Sequence, residues 1–358
     1  MAKRITLKDI AAEVGLSTSA VSLVLNGRPI KISEEKRAQI FEAARRMDYQ
    51  SNRASSTAAS STMRIGVITP NVSNAFFGEA LDGIEQRVSR EGYTVLLGQT
   101  CNHSEGERDA LRRLLENRVD GLIASMSSEG LYAGLDVPIV LFNNEIPTLN
   151  YSQVTYNECK GGFLATKHLL ALGHRKIACL AGDWQKNTTS DRPDSPRVDG
   201  YFWAFADAGL SAPENSVFLG DYLEAQSGYE KLDQIVDGGF TALFCCNDLM
   251  AYGVYRRAAE MKLRIPHDLS VVGFDDLSYS SLLDPALTTI HQSGARVGRE
   301  AAERLLHELG DANAPHQSIR FEPTLVVRDS TCAPRPLRAA GGDPQKGADL
   351  LLQSADKP

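Results

Sequence analysis

Short apolar segments alternate with amphipathic helical patterns from Arg64 to about residue 331, and this alternation restricts the possible folds more than any other feature. The apolar segments read RIGVITP, YTVLLGQT, DGLIASM, PIVLFNN, KIACLAG, ALFCCND and SVVGFDD. Helical patterns lie near 79–90, 105–117, 160–172, 197–208, 226–236, 249–261 and 293–309. The alternation predicts parallel sheets covered by helices on both faces. Such sheets bind ligands beyond the carboxyl ends of their strands, so the residues after the strands are the candidates for a binding site.

Polar and aromatic side chains follow four of the predicted strands. They are Asn71, Ser73, Asn74, Phe76 and Phe77 after the first strand, then Asn143 and Asn144, Asn247 and Asp248, and Asp275 and Asp276. Asn and Asp at such places can be structural, because they cap the next helix or form Asx turns. Amide and carboxylate groups beside aromatic rings also suit a polyhydroxylated or heterocyclic ligand. The sequence leaves both explanations open.

The N-terminal segment 6–26, TLKDIAAEVGLSTSAVSLVLN, reads as two short helices separated by a tight turn at residues 15–17. One apolar face of the first helix contains Leu7, Ile10, Ala11 and Val14, and the inward face of the second contains Val21, Val24 and Leu25. Thr6 and Ser17 are placed to cap the two helices. A third helix is predicted after Ser33, with Ile40, Ala44 and Met47 in its core.

Three short helices of which the second is polar are typical of a helix-turn-helix head, whose second helix enters a DNA major groove. An ordinary three-helix bundle would show the same caps and apolar stripes. Residues 1–64 contain 11 Lys and Arg against 6 Asp and Glu, a net charge of +5, whereas the whole chain carries −7 and the remainder therefore −12. A basic head on an acidic body favours a nucleic-acid module joined to a ligand-binding or assembly module.

The composition is that of a soluble globular protein, with 358 residues, 42% hydrophobic and 23% charged, and the length predicts two or three domains. The chain starts without an apolar signal segment and has no run long enough to cross a bilayer, which predicts a cytoplasmic protein without a membrane partner. The cysteines show no metal-binding spacing, so neither a metal nor another cofactor is predicted. Cys179, Cys245 and Cys246 are expected in the core.

Two segments of biased composition flank the body. The linker 51–62, SNRASSTAASST, has no large apolar residue and reads either as a passive tether or as a functional hinge. The tail from Ala333 is rich in Pro, Gly and Ala, which predicts disorder. Its three leucines at 350–352 are too few for a tetramerising heptad repeat.

Together these motifs make the chain resemble the LacI/GalR (lactose-repressor/galactose-repressor) family of bacterial transcription regulators over about residues 5–331. The resemblance rests on TLKDIAAEVGLSTSAVSLVLNG, DYQSNRAS, IGVITPNVSNAFFGEALDGIE, ALGHRKIACLAG, Arg197 with Gly200-Tyr201, GDYLEAQSGY, CCNDLMAYGV, SVVGFDD and LTTIHQ. It implies an all-α helix-turn-helix head joined by a hinge helix to an α/β core. That core would consist of two doubly wound parallel-sheet lobes, as in periplasmic sugar-binding proteins.

The resemblance also implies domain boundaries and partners. The implied domains are a DNA-binding domain at 1–50, a hinge at 51–63, an effector-binding and dimerisation core at 64–331 and a tail at 332–358. The N-terminal lobe would comprise about 64–160 and 292–322, and the C-terminal lobe about 161–291 and 323–331. Family members are usually homodimers, some of them tetramers, and the two-fold symmetry of the protein mirrors a near-palindromic DNA operator.

By the resemblance, the DNA contacts fall on the second helix and the hinge. The predicted residues are Thr6, Ser17, Thr18, Ser19, Ala20, Ser22, Leu23, Asn26, Asn52 and Ala58. Leu23 cannot donate to guanine, although many family members have an Arg at this position. Ala58 stands where many members insert a Leu into the minor groove, and it is too small for much of a wedge. Operator binding is therefore predicted, but no particular operator sequence.

The effector-contacting positions of the family map onto Asn74, Phe76, Asn144, Arg197, Tyr222, Asn247 and Asp275. Arg197 offers a planar fork of donors and Asp275 accepts hydroxyl groups, while Tyr222 or Phe76 can stack on a sugar ring. This set favours a sugar over a purine, although related regulators use Arg and Asp for purines too. The structural alternatives are that Arg197 pairs with a protein carboxylate and that Tyr222 packs in the core.

These features predict a ligand-responsive transcriptional repressor whose effector, bound between the lobes, decides whether the hinges fold on DNA. The alternative is a soluble sugar-binding receptor without sequence-specific DNA binding, which the basic head and the missing export signal disfavour. An enzyme is not predicted, because the chain has no G-x-S-x-G elbow, P-loop, G-x-G-x-x-G fingerprint or metal-spaced histidines. The scattered His103, His168, His174 and His291 read as solvated or structural.

Overall fold

A computed structural model describes residues 7–25, 32–46, 62–101, 104–125, 131–143, 150–182, 195–220, 224–311 and 313–334. The chain divides into two compact units, Met1–Arg64 and Ile65–Pro358. The linker 51–61 and the tail from residue 335 lie outside the described residues. Within the described ranges, no helix combines the length and apolar composition that crossing a bilayer requires.

The first unit contains the three predicted helices, α1 Leu7–Val14, α2 Thr18–Leu25 and α3 Glu34–Arg46. The residues of its core that are fully buried are Ile10, Val21, Val24 and Ile40. Ser17 caps α2, because its Oγ accepts from the Ala20 N–H at 3.1 Å. Ser33 accepts from the Lys36 N–H at 3.3 Å in the same way before α3. The third helix contributes Ala43 to the core, whereas the side chains of the predicted Ala44 and Met47 are outside the described set.

One lobe of the second unit is built on a six-stranded sheet and is referred to as the N-terminal lobe. Its strands are β1 Arg64–Thr69, β2 Thr94–Gln99, β3 Gly121–Ala124, β4 Ile139–Phe142, β5 Ser152–Tyr156 and β11 Ser318–Phe321. The spatial order is β11-β5-β4-β3-β1-β2, and the β1–β3, β3–β4, β4–β5 and β5–β11 pairs are parallel. The helices that accompany this sheet are α4 Ala75–Val88, α5 Ser104–Glu116 and α10 Gly294–Gly310.

The C-terminal lobe has a four-stranded parallel sheet of order β7-β6-β8-β9. Its strands are β6 Ile177–Gly182, β7 Val217–Gly220, β8 Ala242–Cys245 and β9 Ser270–Val272, and its helices are α6 Glu158–Ala171, α7 Pro196–Asp207, α8 Ala225–Asp237 and α9 Asp248–Glu260. A separate antiparallel pair is formed by β10 Thr289–His291 and β12 Thr324–Val326. The two parallel sheets and their covering helices confirm the predicted α/β core.

The chain passes between the lobes at three places: from β5 to α6, from β10 to α10 and from β11 to β12. These crossings are bonded to one another. The Asn157 N–H donates to the Phe321 carbonyl at 2.8 Å, and the Ser293 N–H donates to the Tyr156 hydroxyl at 3.1 Å. These two bonds join the first crossing to each of the other two.

All seven apolar segments of the sequence form strands, and Cys179, Cys245 and Cys246 are fully buried in the C-terminal lobe. The alternation did not predict β5, β7, β10, β11 and β12. The β5 sequence SQVTY is buried along its whole length but contains few aliphatic side chains, and β7 and β11 are only partly buried. Pairing with neighbouring strands, rather than a local apolar pattern, defines these strands.

Candidate effector site and DNA-binding head

Four of the predicted DNA-contacting residues are described with their side chains, and they lie at the start of α2: Ser17, Thr18, Ser19 and Ala20. Thr18 is half-buried and Ser19 is exposed, while Ser17 is exposed and occupied as the cap of α2. A helix N-terminus with small polar side chains suits the major groove. The predicted Thr6, Asn26, Asn52 and Ala58 lie outside the described residues, as do the side chains of Ser22 and Leu23.

Arg197 is the second residue of α7, and only 4% of its side chain is exposed. Its Nη1 donates to the Cys246 carbonyl at 2.5 Å and lies 3.6 Å from Asp275 Oδ1. Its Nη2 donates to Glu158 Oε1 at 2.5 Å. The guanidinium also lies over the Phe274 ring, 3.9 Å from the centroid. Arg197 is thus paired with carboxylates, as in the structural alternative, but these are buried and partly buried groups rather than a surface carboxylate.

Asp275 follows β9 and is buried beside Arg197. Its backbone has φ +111°, a conformation that residues other than glycine seldom adopt. Its Oδ1 accepts from Gln292 Nε2 at 2.6 Å. Burial raises the pKa of Asp275 to about 8, although Arg197 lowers it; the nearby Asp248 carboxylate also raises it. Asp275 therefore holds its proton at pH values where an exposed Asp is ionised.

Asn74 and Asn247 both cap helices, as the structural explanation predicted. Asn74 Oδ1 accepts from the Phe76 N–H at 3.0 Å before α4. Asn247 Oδ1 accepts from the Met250 N–H at 2.8 Å before α9. Both side chains are buried. The caps explain why amides follow these strands, and a contact of either residue with an effector stays a prediction.

Phe76 is buried in the core of the N-terminal lobe instead of facing an open cleft. Its ring makes an edge contact with Phe77, with centroids 5.4 Å apart. Both rings belong to an apolar cluster that includes Leu277 of the C-terminal lobe. In this conformation the two lobes therefore contact each other through the cluster that contains Phe76. The Phe76 ring is buried in that cluster, so no face of it is open for stacking on a ligand.

The structure brings Arg197 and Asp275 together, and Asn247 directly follows Cys246, whose carbonyl accepts from Arg197. Asn74 and Phe76 belong to the other lobe. The predicted Asn144 and Tyr222 lie outside the described residues.

Sequence reasoning missed Glu158 and Gln292, the direct partners of Arg197 and Asp275. Gln292 is part of the LTTIHQ motif, which could have marked it, whereas no sequence signal connects Glu158 to Arg197. The buried Oε1 of Gln292 and the hydroxyls of Thr69 and Ser125, at the ends of β1 and β3, have no hydrogen-bond partner within the described residues. These oxygens could accept hydrogen bonds from a ligand.

Two family models match the chain. Residues 6–52 match the model "Bacterial regulatory proteins, lacI family". Residues 166–331 match the model "Periplasmic binding protein-like domain". The two matches correspond to the helical head and to part of the two-lobed core.

Similar proteins cover nearly the whole chain. The HTH-type transcriptional repressor PurR of Vibrio cholerae is 34% identical over 334 residues, which are 91% of this chain and 97% of that protein. A Lac repressor dimer bound to operator and the anti-inducer ONPF superposes with a TM-score of 0.67 at 29% identity, over 92% of this chain and 100% of the repressor chain.

A complex of the transcriptional regulator CelR with cellobiose also has a TM-score of 0.67, at 25% identity over 91% of this chain and 100% of CelR. The relatives combine the same head and core, and they are DNA-binding regulators rather than receptors or enzymes. The chain therefore belongs to the lacI family of bacterial regulatory proteins: it is a DNA-binding transcriptional regulator and not an enzyme.

Proposed function

We propose that the protein is a cytoplasmic repressor that binds a near-palindromic operator as a homodimer and responds to a sugar or sugar derivative between its lobes. The proposal includes a DNA-binding domain at 1–50, a hinge at 51–63, an effector-binding core at 64–331 and a tail at 332–358. The similarity to a Lac repressor bound to operator and to CelR bound to cellobiose supports both halves of the proposal.

The observation that carries the effector site is the buried Arg197–Asp275 pair. The pair lies where β8 and β9 end, and Gln292 connects it to the crossing between β10 and α10. A ligand that hydrogen-bonds to this pair therefore acts next to a segment that joins the lobes. Ligand binding at such a place changes the relative free energy of lobe arrangements.

In this mechanism the arrangement of the N-terminal lobes in the dimer decides whether both hinges can fold on the operator. An effector that binds more tightly to the DNA-competent state acts as a corepressor, and one that prefers the other state acts as an inducer. The coupling free energy is the difference between the binding free energies of the effector for operator-bound and for free protein, so it is the same whichever partner binds first.

The proposal predicts that selection from a random duplex library at about 0.15 M salt, where non-specific phosphate contacts are weakened, enriches a palindrome. The selected duplex then serves as a probe for compounds that change operator affinity. In Arg197→Ala, operator affinity without effector should remain within a few-fold of wild type, while the response to effector disappears. If no palindrome is enriched, with or without added sugars, the proposed sequence-specific binding to a near-palindromic operator is refuted. If the effector changes the operator affinity of Arg197→Ala as much as that of the wild type, the proposed effector site at Arg197 is refuted.

A further inference from the structure

Both terminal nitrogens of the Arg197 guanidinium are engaged by groups of the protein itself. One terminal nitrogen donates to the Cys246 carbonyl and lies near Asp275, and the other donates to Glu158. One guanidinium face is covered by Phe274. An arginine that waits for an anionic ligand would keep its fork open for two parallel bonds. In Arg197 a protein carboxylate occupies part of that fork.

Glu158 occupies a rigid position. It is the first residue of α6, directly after the cap Asn157, whose Oδ1 accepts from the Lys160 N–H at 3.1 Å. α6 and α7 touch through glycines, since a Cβ at Gly162 would overlap the Arg197 carbonyl oxygen and one at Gly200 would overlap the Cys159 carbonyl oxygen. The backbones that carry Glu158 and Arg197 are thus locked together, and the ion pair follows from that contact.

The charges around Arg197 add up to zero or less. Glu158 alone balances the guanidinium, and Asp275, whose pKa burial raises to about 8, contributes a further negative charge only when it ionises. Asp248 is buried nearby, and burial raises its pKa to about 6. The neighbouring Arg328 is paired with Asp276 at 2.6 Å. Arg197 and Arg328 are thus both paired with carboxylates.

We propose that Glu158 is a specificity-determining residue of the effector site: by neutralising Arg197, it restricts the effector to uncharged molecules that offer hydroxyl or N–H donors. Phosphorylated and carboxylated compounds are rejected, because their anionic group would lie beside the Glu158 carboxylate without a free cation. Gln292 provides an acceptor for such a donor, because its Oε1 is buried and has no hydrogen-bond partner among the described residues. The Nε2 of the same side-chain amide donates to Asp275. This inference rests on the proposed effector control of the same site.

The test uses full-length protein, the selected operator duplex and a small-molecule extract of the bacterium that carries the protein. The extract is divided on a strong anion-exchange resin into an unretained, uncharged fraction and a retained, anionic fraction. Operator affinity is measured against increasing amounts of each. For the wild type we expect the unretained fraction to change operator affinity, and the retained fraction to be at least about 100-fold less potent.

Glu158→Gln keeps the size of the side chain and removes its charge. In this variant the potency ratio between the two fractions should fall at least about tenfold, because Arg197 regains an uncompensated charge. The melting temperature should fall, because the buried guanidinium of Arg197 loses its carboxylate partner. The potency ratio is therefore measured at a temperature where the variant is fully folded and relative to the variant's own operator affinity without extract, which separates altered selectivity from a folding defect. The matched control is Glu214→Gln, which removes an exposed carboxylate of the same lobe and should keep the wild-type ratio.

Two results would overturn the role of Glu158 and leave the control of operator affinity by an effector intact. The first is that the retained fraction is as potent as the unretained fraction on the wild type. The second is that Glu158→Gln has the same potency ratio as the wild type. If neither fraction changes operator affinity, effector control itself is refuted, and this inference with it.

Discussion

At the scale of single residues, Asp275 shows how far the folded environment changes a side chain. Its backbone adopts φ +111°, its carboxylate is buried, and its nearest cation, Arg197, is shared with Glu158. Desolvation dominates over the attraction to Arg197, so the pKa of Asp275 rises to about 8 from its usual value of 3.8. In the absence of a ligand, ionised Asp275 therefore destabilises the fold.

This leads to a prediction for Asp275→Asn. The folded-state pKa is raised, so the contribution of this group to stability is complete below pH 3.8 and is lost as the pH rises through about 8. The amide cannot ionise, so the variant should gain stability relative to wild type as the pH rises from 6 to 8. The gain has an upper bound of about 1.4 kcal/mol per pH unit.

Urea unfolding of both proteins at pH 6, 7 and 8, without effector, measures this difference. A constant offset caused by the lost contact with Arg197 is expected and does not affect the slope. Parallel stability curves for the two proteins would show that Asp275 titrates normally.

At the scale of secondary-structure elements, helix positions follow from local signals. Asn74, Asn157, Asn247 and Ser293 each accept from a backbone N–H in the first turn of the following helix. Such caps depend on residues two or three positions apart, which is why the sequence predicts the core helices well. The missed strands are short or partly exposed, and their pairing partners are far away in sequence.

Glycines allow the backbones of paired helices in the core to touch, and α8 and α9 are such a pair. A Cβ added at Gly253 would overlap the Ala225 carbonyl oxygen, which belongs to a backbone that cannot move aside locally. Gly253→Ala should therefore lower the free energy of unfolding by about 1–3 kcal/mol.

The matched control is Gly310→Ala at the end of α10, where an added Cβ meets no atom within 4 Å. This variant should be as stable as wild type or slightly more stable. Equal urea midpoints for the Gly253 and Gly310 variants would disprove tight packing between α8 and α9.

At the scale of the whole core, the lobes share apolar contacts. Leu277 of the C-terminal lobe is buried in the same cluster as Phe76 and Phe77 of the N-terminal lobe, and Leu249 packs against this cluster. The Leu277 N–H donates to Asp248 Oδ2 at 2.8 Å, which fixes the position of Leu277 on its own lobe. The apolar contact therefore favours the closed arrangement of the lobes.

Leu277→Ala should weaken this arrangement without unfolding either lobe. Small-angle X-ray scattering should show a larger radius of gyration than for wild type, and amide exchange should accelerate in the first turn of α4. Loss of the buried side chain is expected to lower the free energy of unfolding by about 2–5 kcal/mol.

Leu269→Ala provides the comparison, because Leu269 is buried within the C-terminal lobe alone. It should lower stability to a similar degree but leave the radius of gyration unchanged. The same radius in both variants would mean that Leu277 does not hold the lobes together.

Periodicity, capping and ordered motifs are properties of neighbouring residues, so they predict the three-helix head, the alternation of strands and helices and the family. The sequence also named Arg197 and Asp275 through the resemblance. The contacts of these two residues, in contrast, follow from the packing of distant segments. Glu158, Arg197 and Asp275 are distant in sequence, and only the packing of α6 on α7 and the end of β9 brings them together. The full or partial burial of these three residues, which no local pattern encodes, determines the charge of the candidate effector site.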